Sequence, residues 1–135
     1  MFDTKVAIVV RDDLQSCQKL NMTAFLTSGI VGAAPDLVGA PYRDAAGNAY
    51  LSLLVQPVIV LAADQPTIAS IHRRALDRGV QHALYIEEMF ATGHDAANRA
   101  VFAEHGPGDA KVVGLALREE RRLVDKITKG ARMHP

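Results

Sequence analysis

Hydrophobic and polar positions along the chain follow two kinds of pattern. Continuous apolar runs cover Val6–Val10 and Val58–Ala63, which is typical of strands covered by helices on both faces. Apolar residues at helical spacing follow each run, and they predict one helix from about Gln18 to Gly29 and another from Asp64, as its N-cap, to Gly79. This order of strands and helices predicts a mixed, mainly parallel sheet.

The rest of the chain continues the same alternation. A loop rich in Gly and Pro is predicted for Ala33–Asn48 and a short strand for Ala49–Val55. Further strands and helices are predicted at Gln81–Glu87 (strand), His94–Glu104 (helix), Lys111–Leu117 (strand) and Arg118–Lys129 (helix). We expect an α/β protein, a three-layer α/β/α sandwich, and a single domain over residues 1–135.

Composition narrows the class of protein. Basic and acidic residues balance at 15 each, so the chain lacks the overall positive field of most nucleic-acid binders. The single Cys17 excludes an internal disulfide, and the first residues carry no secretory signal pattern, so we expect a cytoplasmic protein. We expect no membrane role, because each apolar run is shorter than the roughly 18–20 residues that span a bilayer.

Several familiar kinds of site have no motif in this sequence. Neither buried strand is followed by a glycine-rich loop, which argues against dinucleotide and P-loop nucleotide binding. A serine-hydrolase elbow is absent, and the five His residues lack the spacing of a helical zinc site. We therefore expect neither a cofactor nor a metal.

Charged residues near the end of the first strand are the strongest candidates for function. Lys19 lies in the first turn of the first helix, where the helix dipole disfavours a cation by about 0.3–1 kcal/mol. It also follows the carboxyl end of a buried strand, where open α/β sheets bind ligands. Arg11 and Asp13 follow the same strand, and they either orient a ligand or form strand-end ion pairs.

A second group of candidates follows the Gln81–Glu87 strand. Glu87 and Glu88 could pair with Lys19 or raise each other's pKa, and strand alternation sends one of the two into the crevice. Thr92 either takes part in chemistry or caps the next helix.

Four segments resemble a known family; two of them are Gln56–Asp64, which resembles its second strand, and Ile68–Gly79, which resembles the helix that follows. Lys5–Leu14 resembles the opening strand and Val-Val-Arg-x-Asp-Leu segment of type II peptidyl-tRNA hydrolases, and Lys19 falls where that family has its active-site lysine. Leu123–Thr128 resembles the family's closing Leu-x-Asp-Lys-Ile-Thr helix, and the discontinuous match covers about two-thirds of the chain. The closest resemblance is to the domain of unknown function 2000 family, which shares this fold. The resemblance implies a four-stranded mixed sheet between helices, a homodimer, and hydrolysis of the ester that joins peptide to tRNA.

The chain departs from the hydrolase pattern where the third strand ends. In Ile86–Gly93, Glu88 and Thr92 keep the family's carboxylate and threonine, while Glu87 replaces an arginine and Gly93 a glutamine. Thr23 stands where the family has a glutamine, and residues 94–109 are an insertion. A glutamate in place of an arginine should repel phosphate.

The sequence therefore favours a small hydrolase-like enzyme or a ligand binder, with an ester as the substrate in the enzymatic version. In that version, Lys19 stabilises oxyanion charge, and Glu88 or Thr92 positions or activates water. The candidate substrate-binding residues are Arg11, Asp13 and Thr23. The alternatives are a non-catalytic module that binds a small anion or a protein, and an active peptidyl-tRNA hydrolase.

Overall fold

A computed structural model describes residues 2–135. The strands are β1 (Thr4–Arg11), β2 (Tyr42–Arg43), β3 (Ala49–Tyr50), β4 (Val58–Ala63), β5 (His82–Ile86), β6 (Val112–Glu120) and β7 (Arg132–Met133). The helices are α1 (Ser16–Ala33), α2 (Gln65–Asp77), α3 (Asp95–Ala103) and α4 (Arg121–Ile127), with short 3-10 turns at Pro35–Leu37 and Glu87–Ala91. No helix within residues 2–135 is both long and apolar enough to cross a membrane.

The main sheet is mixed and has five strands in the order β5-β6-β1-β4-β7. Within the described residues, β1 and β4 pair in parallel, whereas the other three pairings are antiparallel. The prediction of a mainly parallel sheet was therefore wrong. Burial on both faces leaves a continuous apolar run whatever the strand direction, and β6 is such a run between two antiparallel neighbours. The sheet also has one strand more than the four that the resemblance implies: the fifth is β7, which at two residues is too short for its sequence to reveal.

Helices cover both faces of this sheet, and alternate residues of β1 pack against the helices on each face. Val6, Ile8 and Val10 face α1, where they pack in one apolar cluster with residues such as Met22. Ala7 and Val9 belong to the cluster on the other face, which α2 and α4 cover. The sheet is therefore the middle layer between helices, and its strand ends are open to form a site.

Close approach of α1 to the sheet depends on two glycines. Gly29 does not end α1, as the sequence pattern suggested, because the helix continues to Ala33. A Cβ at Gly29 would lie 3.0 Å from the Ala83 Cβ, so this position marks where the helix passes over β5. A Cβ on Gly114 of β6 would lie 2.5 Å from the Met22 sulfur.

Two other elements differ from the sequence expectation. The strand expected at Ala49–Val55 is the short β3, which pairs with β2 in a hairpin outside the main sheet. The last helix begins at Arg121 because residues 118–120 continue β6, where they pair with residues 4–6 of β1.

Candidate functional site

Three strands place their carboxyl ends at one edge of the sheet. β5 and β1 both run antiparallel to β6, and β4 runs parallel to β1, so these three strands point the same way. Arg11 ends β1, Gln65 follows β4 by two residues, and Glu87 directly follows β5. Polar side chains from the ends of three strands therefore meet at this edge of the sheet.

Arg11 is the centre of this edge, and its guanidinium is largely buried. Nε donates to Asp13 Oδ1 at 2.5 Å, Nη1 to Gln65 Oε1 at 2.7 Å and Nη2 to Glu87 Oε1 at 2.7 Å. Burial lowers the Arg11 pKa, but the hydrogen bonds to Glu87 and Asp13 outweigh it, so the pKa lies above its ordinary value. Each nitrogen of the guanidinium thus has a partner within the protein.

Glu87 is held by two cations. Besides Arg11, its Oε2 lies 3.7 Å from Lys111 Nζ, and the hydrogen bond from Arg11 is the main reason why the Glu87 pKa is lowered. The expectation that crowding with Glu88 raises a carboxyl pKa fails for Glu87. Neither glutamate pairs with Lys19 among the described contacts. Glu87 pairs with Arg11 and Lys111, and Glu88 lies beside His105.

Lys19, on α1, has its own partner, His134. Its Nζ is 3.1 Å from His134 Nε2, and His134 Nδ1 is 3.0 Å from the Pro135 carbonyl oxygen. A neutral imidazole fits both contacts, with Nδ1–H donating to the carbonyl and Nε2 accepting from the lysine. Thr23, one turn further along, turns its hydroxyl back to the Lys19 carbonyl oxygen at 2.9 Å.

Glu88 ties the 3-10 turn to the end of α3. Its Oε2 lies 3.5 Å from His105 Nε2, and His105 Nδ1 is 2.9 Å from the Val101 carbonyl oxygen. Glu88 Oε1 is buried without a hydrogen-bond partner in the described structure. This carboxylate therefore lies where it can hold the insertion against the sheet.

A groove lies between α1, β5, the Glu87–Ala91 turn and α3. Its volume is about 880 Å3. Four aromatic side chains line it, three of the chain's four Phe and one of its three Tyr: Phe25, Tyr85, Phe90 and Phe102. The Tyr85 ring centroid lies 6.4 Å from that of Phe25 and 5.2 Å from that of Phe90, so three rings form a continuous apolar wall.

Polar groups along this groove are mostly uncharged. Amide and hydroxyl side chains line it at Gln18, Asn21, Thr92 and Asn98. Asp95 and Arg99 also line it, and they pair with each other at 2.8 Å. Asp95 and Arg99 are thus paired with each other, and His94 adds an imidazole to the uncharged hydrogen-bonding groups of the groove.

The predicted site residues are distributed over several places. Thr92 lines the groove, where its hydroxyl donates to the Met89 carbonyl oxygen at 2.9 Å and contacts the Asn98 amide. Lys19 and Thr23, four residues apart, share the opposite flank of α1, whereas Gln18 and Asn21 face the groove. The Lys19, Glu88 and Thr92 side chains thus have separate partners.

A smaller cavity of about 330 Å3 lies beside α2. His72, which is buried, lines it, and its ring packs edge-on to that of His82 with centroids 5.4 Å apart. Burial, followed by the charge of His82 and of Arg73, lowers the pKa of His72. Residues 2–135 contain no group of three or more His, Cys, Asp or Glu placed to hold a metal.

Fold and site together define a mixed α/β protein with helices on both faces of its sheet and an aromatic groove beside α1. The chain belongs to the family described as "Protein of unknown function (DUF2000)", which matches residues 4–135. It is similar to a solved structure of a protein of unknown function from Agrobacterium tumefaciens strain C58, with 59% identity, 100% of both chains covered and a TM-score of 0.99. Comparison with curated proteins finds no match.

Proposed function

We propose that this protein binds a small, uncharged, planar ligand in the groove between α1 and α3. The observation that carries the proposal is the aromatic wall of Phe25, Tyr85 and Phe90 in a groove whose charged residues pair with each other. The volume of about 880 Å3 is within the range of roughly 300–1,000 Å3 that is typical of small-molecule sites.

The exposure of the rings supports a flat ligand. Phe25 is 58% exposed although it lies beside Tyr85, so one ring face is free to stack. An aromatic contact contributes about 0.5–1.5 kcal/mol beyond the area that it buries. Asn21 on α1 and Asn98 on α3 supply donors and acceptors from opposite walls, which would orient hydrogen-bonding groups on the ligand's edge.

A thermal-shift screen of neutral heteroaromatic fragments, each matched with a carboxylate and an amine analogue of the same ring, tests this function. We expect the neutral members to raise the melting temperature most, since Asp95 and Arg99 in the groove already pair with each other. Titration calorimetry of the best fragment should then show binding weakened about tenfold in Phe25→Ala.

The matched control is Leu20→Ala, which removes a 72%-exposed apolar side chain from α1 outside the groove. It should bind the fragment as the wild type does. Equal binding by Phe25→Ala, or preference for the charged analogues, would show that the aromatic wall is not the site.

A hydrolase that acts on a carboxylic ester is the second candidate function. The contact of Lys19 Nζ with His134 Nε2 favours it, because the imidazole would hold in place a cation that can stabilise an oxyanion. In this version Glu88 or Thr92 positions water, and the substrate-binding residues are Arg11, Asp13 and Thr23.

Hydrolysis of peptidyl-tRNA and of a small activated ester by wild type and Lys19→Ala tests that function. Lys126→Ala on the exposed face of α4 is the control for loss of one positive charge. Activity lost only in Lys19→Ala would support it, and equal activity in all three proteins would refute it. Binding of tRNA should also weaken steeply with salt.

Four further expectations accompany the proposed function. Relation of the fold to type II peptidyl-tRNA hydrolases is supported by the mixed sheet with helices on both faces. A single domain is supported by the two apolar clusters that share β1. A cytoplasmic location is supported by the lone Cys17. A homodimer is supported by exposed apolar side chains in residues 38–55.

A further inference from the structure

The strand β5 ends the order of the main sheet, so among the described residues one side of its main chain has no neighbouring strand. In an antiparallel pair, successive residues direct their N–H and C=O groups alternately toward the partner strand and away from it. Alternate residues of β5 therefore bond to β6, and the residues between them point outward. The residues that point outward decide which main-chain groups are open to a ligand beside β5.

Pairing of β6 with β1 fixes the direction of alternate residues in β6. The N–H of Arg121, directly after β6, donates to the Asp3 carbonyl oxygen at 3.2 Å. The register between the two strands is continuous from residue 114 to residue 120, so the odd-numbered residues of this part of β6 direct their main chain toward β1. The even-numbered residues direct theirs toward β5, where Gly114 lies opposite Tyr85.

The main chain of Leu84 therefore points away from β6. Ala83 and Tyr85 lie opposite even-numbered residues of β6 and bond to them, and Leu84 between them directs its N–H and C=O to the open edge. A separate contact agrees, since the Glu87 N–H, two residues after Tyr85, donates to the Lys111 carbonyl oxygen at 2.8 Å on the β6 side. Among the described residues, the outward N–H and C=O of Leu84 have no main-chain partner.

Leu84 contributes main-chain atoms to the groove between α1 and α3. Its side chain packs against the apolar cluster that α2 and α4 cover, on the face of the sheet opposite α1. Leu84 nevertheless lines the groove, which lies beside α1. The side chains of Ala83 and Tyr85 lie on the α1 face. The groove thus presents one main-chain donor and one main-chain acceptor next to its aromatic wall.

The open part of this edge is short. Near the end of β5, the outward N–H of Ile86 lies 3.5 Å from the Met89 sulfur, which covers it. At the start of β5, His82 is not part of the groove lining that the structure describes, and its ring packs against that of His72 on α2. A peptide that adds a strand to a sheet gains its affinity from several main-chain hydrogen bonds in succession. Leu84 alone offers a single pair, which suits a small molecule.

We propose that the ligand of the groove is a cyclic amide or a similar heterocycle, with a donor and an acceptor side by side on one edge, and that this edge pairs with the main chain of Leu84. This inference rests on the proposed function and names the class of ligand. The ligand N–H donates to the Leu84 carbonyl oxygen, and the ligand carbonyl accepts from the Leu84 N–H, as an added antiparallel residue would. The ring then extends the sheet and turns one face to Tyr85 and Phe25.

Two neutral bicyclic lactams test this pairing by titration calorimetry. Quinolin-2-one carries the donor and the acceptor, whereas N-methylquinolin-2-one keeps the rings and the acceptor but lacks the donor. Methylation should weaken binding roughly tenfold or more, because it leaves the Leu84 carbonyl oxygen unpaired. Phe25→Ala should weaken the binding of both lactams, since both stack on the same wall.

Hydrogen exchange followed by NMR at single amides tests the direction of the main chain. In the free protein, the outward amides of His82 and Leu84 should exchange faster than those of Ala83 and Tyr85, which bond to β6. Saturating quinolin-2-one should slow exchange at Leu84 roughly tenfold or more. His82 is the matched control, because its amide also points outward but lies outside the groove lining, and its exchange should not change.

Leu84→Pro and Leu84→Ala form a matched pair of variants. Both shorten the side chain, but only proline removes the outward N–H, and at an edge strand it does so without breaking a bond to β6. Quinolin-2-one should bind to Leu84→Ala and not to Leu84→Pro, with far-UV circular dichroism as the check on folding. If Leu84→Pro does not fold, the exchange experiment on the wild type decides.

The outcomes separate this pairing from the proposed function. Equal binding of the two lactams, with unchanged exchange at Leu84, would refute the pairing, and dependence of that binding on Phe25 would keep the groove as the site. Failure of quinolin-2-one to bind while other neutral fragments do would also refute the pairing alone. If no neutral fragment bound at all, both the pairing and the proposed function would be wrong.

Discussion

The ion pair between Arg11 and Glu87 leads to a prediction about stability and pH. Glu87→Gln removes the negative charge but keeps an oxygen that can accept from Arg11 Nη2, so the variant isolates the effect of charge. Because the wild-type pair lies where β1 and β5 end, loss of this charge should lower the free energy of unfolding of the whole domain.

The expected loss of stability in Glu87→Gln depends on how far the Arg11–Glu87 pair is exposed to solvent. A hydrogen bond between charged groups contributes about 1.5–3 kcal/mol when well buried, whereas an exposed ion pair contributes about 0–1 kcal/mol. The Arg11 side chain is largely buried, but that of Glu87 is 39% exposed, so we expect a loss of about 1 kcal/mol at neutral pH.

The stability difference between wild type and Glu87→Gln should become smaller as the pH falls. The Glu87 pKa in the folded state lies below its ordinary value of 4.5, so the ionised carboxylate stabilises the protein fully above that value. As the pH falls from 4.5 through the lowered pKa, the unfolded chain takes up its proton first and the stabilisation disappears. Wild type and Glu87→Gln should therefore converge in stability once the pH has fallen below the lowered pKa of Glu87.

Urea unfolding followed by circular dichroism at several pH values measures this difference. Glu104→Gln, at an exposed glutamate beyond α3, is the control and should follow the wild type at each pH. If Glu87→Gln were less stable than the wild type by the same free energy in acid as at neutral pH, the carboxylate would act through shape or packing. Our explanation of its lowered pKa would then be wrong.

Two more predictions concern the core. Gly114→Ala should cost about 1–3 kcal/mol in urea unfolding, because its Cβ would lie 2.5 Å from the Met22 sulfur, whereas Gly93→Ala, with open space around it, should cost little; equal losses would argue against close packing as the cause. His72→Leu should flatten the pH dependence of stability as the pH falls from 6.5 through the lowered pKa of His72, because the wild type loses stability there when the unfolded chain takes up its proton first; an unchanged slope, measured by the same unfolding assay, would assign the effect to other groups.

Elements with strong local signals were predicted well. The runs at Val6–Val10 and Val58–Ala63 are strands because both faces of each are covered, and no polar position interrupts them. Helix α2 begins after Asp64, whose carboxylate accepts from the Thr67 N–H at 2.9 Å, and it is followed by Gly79 with a φ of +64°. Capping and turn chemistry are local, so the sequence alone displays them.

Features that depend on distant contacts were missed. Whether two strands run parallel depends on which strands are neighbours in the sheet. Here β6, late in the chain, lies between β1 and β5. The same order brings Glu87 rather than Glu88 to Arg11, across 76 positions of sequence. The groove requires Phe25 on α1 to face Phe102 on α3, and only the packing of the insertion brings these two rings to one cavity.

Helix α1 separates the two chemistries that the sequence had combined in one site. Residues three and four apart share a helix face, so Thr23 lies on the same flank as Lys19, which contacts His134, while Asn21 and Phe25 lie together in the groove. A ligand in the groove would therefore contact Thr92 and the aromatic wall without needing Lys19. Binding along the aromatic wall is consequently independent of Lys19, and Lys19→Ala should leave the affinity for a groove ligand unchanged.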